Sequence, residues 1–311
     1  MLHKYWRNFP WYIQFLQFIL LVGVLASFVS FIIGPIIVNK MNVSIEDIQY
    51  LNANSSTNAI AGGLVLQFFS ALGIFLLPSL LFAYFMHPRP LHFLGLRKPV
   101  NLLHLIVPAC IMVCAEPLLT TIADWMTHLN LGSNAKKIQE ENDRLMAAFL
   151  AVKTPVQLAV SFIVLAVMPG MSEELFFRGV IMRFAAKRTY SIWFPLVASS
   201  LLFALLHTNV YGLLSIFMAG MMLGSFYYLT GSIIPGIIAH LVFNASQVVV
   251  AYYANTSPDK SASTTNTSLS WIILGTSLAV SGMFYLWNTK NTLKPYWSSD
   301  FDPQETLTGT E

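Results

Sequence analysis

Eight apolar runs, each close to or above the length needed to cross a bilayer, dominate this chain. An α-helix rises about 1.5 Å per residue, so about 20 apolar residues span a hydrocarbon core about 30 Å thick. Runs at roughly 12–38, 60–86, 101–122, 155–186, 190–208, 211–229, 234–254 and 269–288 meet or approach that length. In lipid, every backbone N–H and C=O must be satisfied internally, and apolar runs of this kind do so as helices. The expected fold is therefore all-α, a polytopic integral membrane bundle of about eight transmembrane helices. Composition excludes the alternative: 56% of the 311 residues are apolar and only 10% are charged, against about 25% charged in soluble domains. The lipid bilayer is part of this chain's solvent.

Four stretches follow from the pattern. Residues 1–100 hold the N-terminal transmembrane helices. Residues 101–154 hold the third span and an amphipathic helix outside the membrane, since 130–154 is polar first and amphipathic later. Residues 155–254 carry most of the chemistry, and 255–311 hold the last span and a polar tail from Thr289. The first run follows His3, Lys4 and Arg7 and is too long for a signal-peptide core of about 7–15 residues, so it is expected to be a retained span. Cys110 and Cys114, four residues apart, are expected as small core residues rather than a disulfide or metal pair.

The net charge of +3 gives no footprint for nucleic acid. Position matters more than sum. Eleven of the 17 Lys and Arg fall on the side shared by both termini if the span number is even. The positive-inside bias then places both termini in the cytoplasm, and the short loops point to a bacterial inner membrane.

Ionisable groups inside a membrane are expensive and are functional candidates by default. His104 and Glu116, near the ends of the third run, are expected at the interface. Three other places are richer. The first is Ser172-Glu173-Glu174, which ends in Arg178-Gly179 and follows Pro169-Gly170. Pro169-Gly170 is expected to break the span, with Ser172 capping the helix that resumes. Glu174 and Arg178 have the i,i+4 spacing of a helical ion pair. Glu173 points about 100° away from Glu174, so one carboxylate can be held by Arg178 while the other faces a cavity. The second place is Phe203-x-x-x-His207, closing the next run. The third is His240-x-x-x-Asn244, one helix face inside the run that starts near Ile233. Taken singly, each also reads as interfacial or inter-helix hydrogen bonding.

In this order, Glu173-Glu174-x-x-x-Arg178, Phe203-x-x-x-His207 and His240-x-x-x-Asn244 resemble the EExxxR, FxxxH and HxxxN signature of the CPBP family, the CAAX-processing endopeptidases and bacteriocin-processing or immunity proteins. The motif block covers about a third of the chain, and Phe93-Leu94-Gly95-Leu96-Arg97 resembles a segment often found before that domain. The resemblance implies an intramembrane endopeptidase that hydrolyses a peptide bond in a membrane-associated protein or peptide. It implies that Glu173 and His207 activate water, that His240 and Asn244 form the oxyanion hole, and that Glu174 and Arg178 support them. No cofactor is expected on the glutamate reading. The family has also been described as metal-dependent, and zinc would then take Glu173, His207 and His240 as ligands. Two other readings stand beside the protease: a non-catalytic bacteriocin-immunity or scaffold protein with the same fold, and a transporter, although no inverted repeat is visible.

Overall fold

The computed structural model describes residues 6, 8–96, 101–186, 191–256 and 268–290. The polar tail beyond Lys290 lies outside the described residues. So do several of the basic residues that set the charge bias, among them Lys4, Arg7, Arg97, Lys187, Arg188 and Lys260.

The chain is an all-helical integral membrane protein, with no strand among the described residues. Among the described residues, seven helices are long and apolar enough to cross a membrane: α1 (Trp11–Met41), α2 (Thr57–Met86), α3 (Leu102–Thr127), α5 (Pro155–Ala186), α7 (Leu213–Thr230), α8 (Ile234–Asn255) and α9 (Leu269–Asn288). The amphipathic helix α4 (Ser133–Phe149) joins α3 to α5. The remaining apolar run, the fifth, forms α6 (Trp193–Leu206), and this one is short. Its 14 residues reach about 21 Å, less than a hydrocarbon core of about 30 Å. The chain turns out of the helix at His207 and Thr208, and Thr208 has a positive φ of 51°.

The proline positions explain the shape of the long helices. Proline lacks an N–H and its ring clashes with the carbonyl four residues back. Pro35, Pro78 and Pro169 each follow a wide π turn, at Val29–Ile33, Leu72–Leu76 and Ile163–Val167. In each case the carbonyl at i−4 lies inside the widened turn. The helix absorbs its proline instead of ending. This corrects the expectation at Pro169-Gly170: α5 runs through unbroken, and the Ser172 hydroxyl is no N-cap but bonds back to the Met168 carbonyl at 2.6 Å. Glu173 and Glu174 therefore sit within a continuous helix.

Lipid offers no hydrophobic drive between helices, so close packing at small residues holds the bundle together. A Cβ at Gly170 would lie 3.0 Å from the Leu241 backbone nitrogen, which marks the crossing of α5 on α8. A Cβ at Gly220 would lie 3.1 Å from Ser200, where α6 meets α7. One apolar core runs from Phe18 to Leu286, with Phe176, Phe177 and Phe203 packed edge to face at its centre. Outside it, α4 inserts Ala148 and Phe149 between Leu51, Leu64 and Val164.

Two expectations shift, and one gains detail. Cys110 is exposed and Cys114 half-buried, and both are free thiols. His104, the third residue of α3, is buried against the end of α9, where it bonds Thr289 Oγ1 at 3.1 Å. Glu116 falls near the middle of α3, because that helix continues to Thr127 instead of ending near residue 122.

Candidate active site

The π turn Phe177–Ile181 and the α5–α8 crossing at Gly170 place Glu173, Glu174, Arg178 and His240 on facing surfaces. Glu174 and Arg178 are both fully buried. Arg178 Nη1 donates to Glu174 Oε1 at 2.6 Å, and Nη2 donates to the Gly220 carbonyl at 2.8 Å. The guanidinium carbon lies 4.8 Å from the centre of the Phe203 ring, within cation–π range. The pair is thus held on three sides, although Arg178 Nε and Glu174 Oε2 have no hydrogen-bond partner among the described residues.

Glu174 has a second role. His240 Nδ1 lies 3.2 Å from its Oε1. The carboxylate can only accept, so Nδ1 carries the hydrogen and Nε2 faces away, towards Glu173. A Cβ at residue 236 would stand 3.1 Å from Glu174 Oε2, so Gly236 leaves room for that carboxylate.

Glu173 is mostly buried, with 13% of its side chain exposed. Its Oε2 has no hydrogen-bond partner among the described residues. That oxygen lies 3.9 Å from His207 Nε2 and 3.9 Å from His240 Nε2. Such gaps are too long for a hydrogen bond and short enough for one water to bridge, at about 2.8 Å to each side. His207 Nδ1 donates to the Phe203 carbonyl at 2.7 Å, which leaves its Nε2 lone pair towards Glu173. At 34% exposure, His207 is the most open of the three. Asn244 lies one turn beyond His240 on α8. It is half-buried, and its amide makes no hydrogen bond among the described residues.

The structure thus brings Glu173, Glu174, Arg178, His207 and His240 together, with Asn244 on the same face of α8 as His240. Several contributors had no sequence signal. The Gly220 carbonyl is backbone, and Gly236 matters only as space. Arg183 is fully buried: its Nε and Nη2 bond Tyr227 Oη at 3.0 and 2.8 Å, and its guanidinium carbon lies 5.5 Å from the Phe93 ring centre. Leu94 and Gly95 pack beside it, and Gly95 accepts from Ile233 N at 3.1 Å. The Phe93–Leu96 run is therefore clamped against the core, while Arg97 is outside the described residues.

Zinc fits this cluster in donor chemistry but not in spacing. Two ligands of one tetrahedral zinc at about 2.0–2.1 Å stand about 3.3 Å apart, whereas the two Glu173–histidine separations are 3.9 Å. Among the described residues, no group of three or more His, Cys, Asp or Glu is disposed to hold a metal ion.

A helical membrane bundle with a buried acid–histidine cluster where a short helix ends is what fold and site together define. Residues 155–246 match a family model described as type II CAAX prenyl endopeptidase Rce1-like. The matched segment holds all seven motif residues and agrees with the resemblance drawn from them. No curated protein and no solved structure matches the chain.

The α5–α8 crossing yields one quantitative expectation. Gly170→Ala puts a methyl against the Leu241 backbone and pushes α8 off α5 by a few tenths of an ångström. A misplacement of about 1 Å at a reacting group can cost about 10²-fold in rate, so a shift of a few tenths costs less. Peptide cleavage by the G170A variant should fall several-fold, and Gly170→Val should fall further, with both proteins still inserted and folded.

Proposed function

We propose that the protein is an intramembrane endopeptidase that hydrolyses a peptide bond of a membrane-associated protein or peptide with water activated by Glu173. The observation that carries this reading is the Glu173 Oε2 atom, buried, without a partner, and equidistant from two histidine nitrogens.

A general base must stand within reach of the proton it takes, directly or through one water, and the Glu173 carboxylate meets that geometric requirement. In the proposed reaction, a water between Glu173 and His207 gives its proton to Glu173 as its oxygen bonds the scissile carbonyl carbon. The carbonyl oxygen becomes an oxyanion facing His240 and Asn244. Breakdown of the tetrahedral species breaks the C–N bond, and the proton held on Glu173 passes to the leaving amine. The products are a new carboxyl end and a new amino end. His240 donates to the oxyanion through Nε2 only when the ring also keeps its Nδ1 hydrogen on Glu174, that is, as imidazolium. Glu174 and Arg178 act by holding that ring and the α5–α7 contact. Preorganised donors of this kind supply about 2.7–4 kcal/mol each in transition-state stabilisation.

The family description names prenylated CAAX sequences, so the first substrate to test is an internally quenched peptide ending in a prenylated Cys-aliphatic-aliphatic-X sequence, beside its unprenylated counterpart. With the short helix α6 counted as an eighth crossing, the basic bias places both termini in the cytoplasm, and the short loops point to a bacterial inner membrane; with seven crossings the termini would lie on opposite sides. A reporter fused after Glu311 reads that orientation. The purified protein should cleave one of the peptides, and cleavage should survive chelation in metal-analysed samples. A stoichiometric zinc requirement would overturn the metal-free form of the mechanism. Equal cleavage by Glu173→Ala would overturn the assignment of the site.

A further inference from the structure

We propose that Asn142, on the amphipathic helix α4, is a positioning residue that aims His207 at Glu173 through the backbone of Thr208. The inference rests on the hydrolase reading for its catalytic consequence, and on geometry alone for its structural one.

His207 sits where α6 stops, and the stop is unusual. Thr208 turns the chain with a φ of +51°. A β-branched residue is a genuine outlier in the left-handed region, and such conformations persist only where the surroundings over-determine them. Three hydrogen bonds hold this turn. Two are local: Thr208 N to the Leu205 carbonyl at 3.3 Å, and Thr208 Oγ1 to the His207 carbonyl at 2.8 Å. The third comes from elsewhere in the chain, as Asn142 Nδ2 donates to the Thr208 carbonyl at 2.9 Å across 66 residues.

The brace that carries Asn142 is itself anchored. Ala148 and Phe149 are buried at the far end of α4. Ser161 of α5 donates to the Phe149 carbonyl at 3.2 Å, and Asn255 at the end of α8 donates to the Leu150 carbonyl at 2.7 Å. The helix outside the core is therefore tied both to the helix bearing Glu173 and to the helix bearing His240. Its third tie is the turn that follows His207.

The imidazole needs such help. His207 is the most exposed of the three reacting side chains, and among the described residues its ring has a single hydrogen bond, to the Phe203 carbonyl, beside its contact with the Phe203 ring at 4.5 Å between centroids. Both anchors lie on one residue, so the backbone at 207–208 also bears on the ring's direction. Without the Asn142 donor, Thr208 relaxes towards the ordinary right-handed region and turns the residue before it. The 3.9 Å gap between His207 and Glu173 then widens.

The test uses the full-length protein in detergent micelles with three substitutions. Asn142→Asp keeps the shape, but its carboxylate cannot donate. Asn142→Gln keeps the donor. Thr208→Gly accepts the left-handed turn without a brace. One readout is kcat and KM on whichever quenched peptide the wild type cleaves. The other needs no substrate: the rate at which diethyl pyrocarbonate acylates His207, resolved from the other histidines by peptide mass spectrometry. N142D should lose about 10- to 100-fold in kcat with KM little changed. Its His207 should acylate several-fold faster while the other histidines keep their rates, which also reports that the fold is intact. N142Q should recover most of the loss. In the Thr208→Gly background, N142D should cost much less than it does alone. The proposal is overturned if N142D matches wild type in both readouts, or if Thr208→Gly does not lessen its effect. Should wild type and Glu173→Gln cleave equally, the hydrolase reading falls, and the acylation rates alone then decide whether Asn142 holds His207.

Discussion

Changing Glu173 to Gln should lower kcat by about 10²- to 10⁴-fold, the range that general-base catalysis supplies, with KM little altered. Gln has the same shape and nearly the same volume, so the α5–α8 packing at Gly170 is undisturbed. It cannot take a proton from water. The amide also ends the electrostatic relation of Oε2 to the two histidine nitrogens at 3.9 Å. Because the lost interaction exists in the transition state and not in peptide binding, the effect belongs in kcat. Steady-state kinetics on the quenched peptide check it, and a loss below about tenfold would mean that another group takes the proton.

Removing Arg178 should have the largest effect on stability. Arg178→Ala strips the cation from a fully buried carboxylate, leaves the Gly220 carbonyl without its donor and opens a cavity under Phe203. Breaking a buried charge pair by deleting one partner costs about 3–5 kcal/mol. The size of a buried pair's loss is mostly the unpaired charge, not the worth of the pair. It follows that Glu174→Leu with Arg178→Met together should recover most of the stability lost in Arg178→Ala. The double variant should nonetheless be inactive, because His240 Nδ1 then has no carboxylate to hold its ring. Thermal or denaturant unfolding in a fixed detergent measures the first effect, and cleavage measures the second. An Arg178→Ala protein as stable as wild type would show that the pair does not support α5.

The membrane architecture was legible because lipid leaves a chain few choices. Long apolar runs must become helices, and the seven long spans stand where the runs predicted them. The fifth run, 190–208, was legible as a helix and nearly so in its length, since the helix covers Trp193–Leu206 and ends where the apolar residues give way to His207. The left-handed turn at Thr208 is what no local residue pattern announces. The reading of Pro169-Gly170 as a break failed for a related reason. The clash of a proline ring with a carbonyl four residues back can be met by ending the helix or by widening it, and three prolines here are met by widening. Gly170 reads in sequence as a breaker, but its function is to let the backbone of α8 approach.

Within the site, the residue types and spacings were legible, and so was the division of labour between the two glutamates. Glu174 pairs with Arg178 one turn away, and Glu173 turns elsewhere by helix geometry alone. Contacts between distant elements were not. Nothing in Gly220, Gly236 or Asn142 marks them as neighbours of the cluster, because one acts through a carbonyl, one through empty space and one through a turn in another loop. The burial of Arg183 was likewise not legible. A lone arginine near a span end usually reaches out to the interface, whereas here Tyr227 and Phe93 supply a buried partner and an aromatic face.

Whether Glu173 and His207 serve one reacting water is measured most directly by a double-mutant cycle on peptide cleavage. Kinetics are taken for wild type, Glu173→Gln, His207→Ala and the combination. Groups that act as a unit are strongly non-additive. The double variant should therefore be no slower than the worse single one, with both singles deeply impaired. Losses that simply multiply, or a His207→Ala enzyme with the wild-type rate, would contradict a shared site built from α5, α6 and α8.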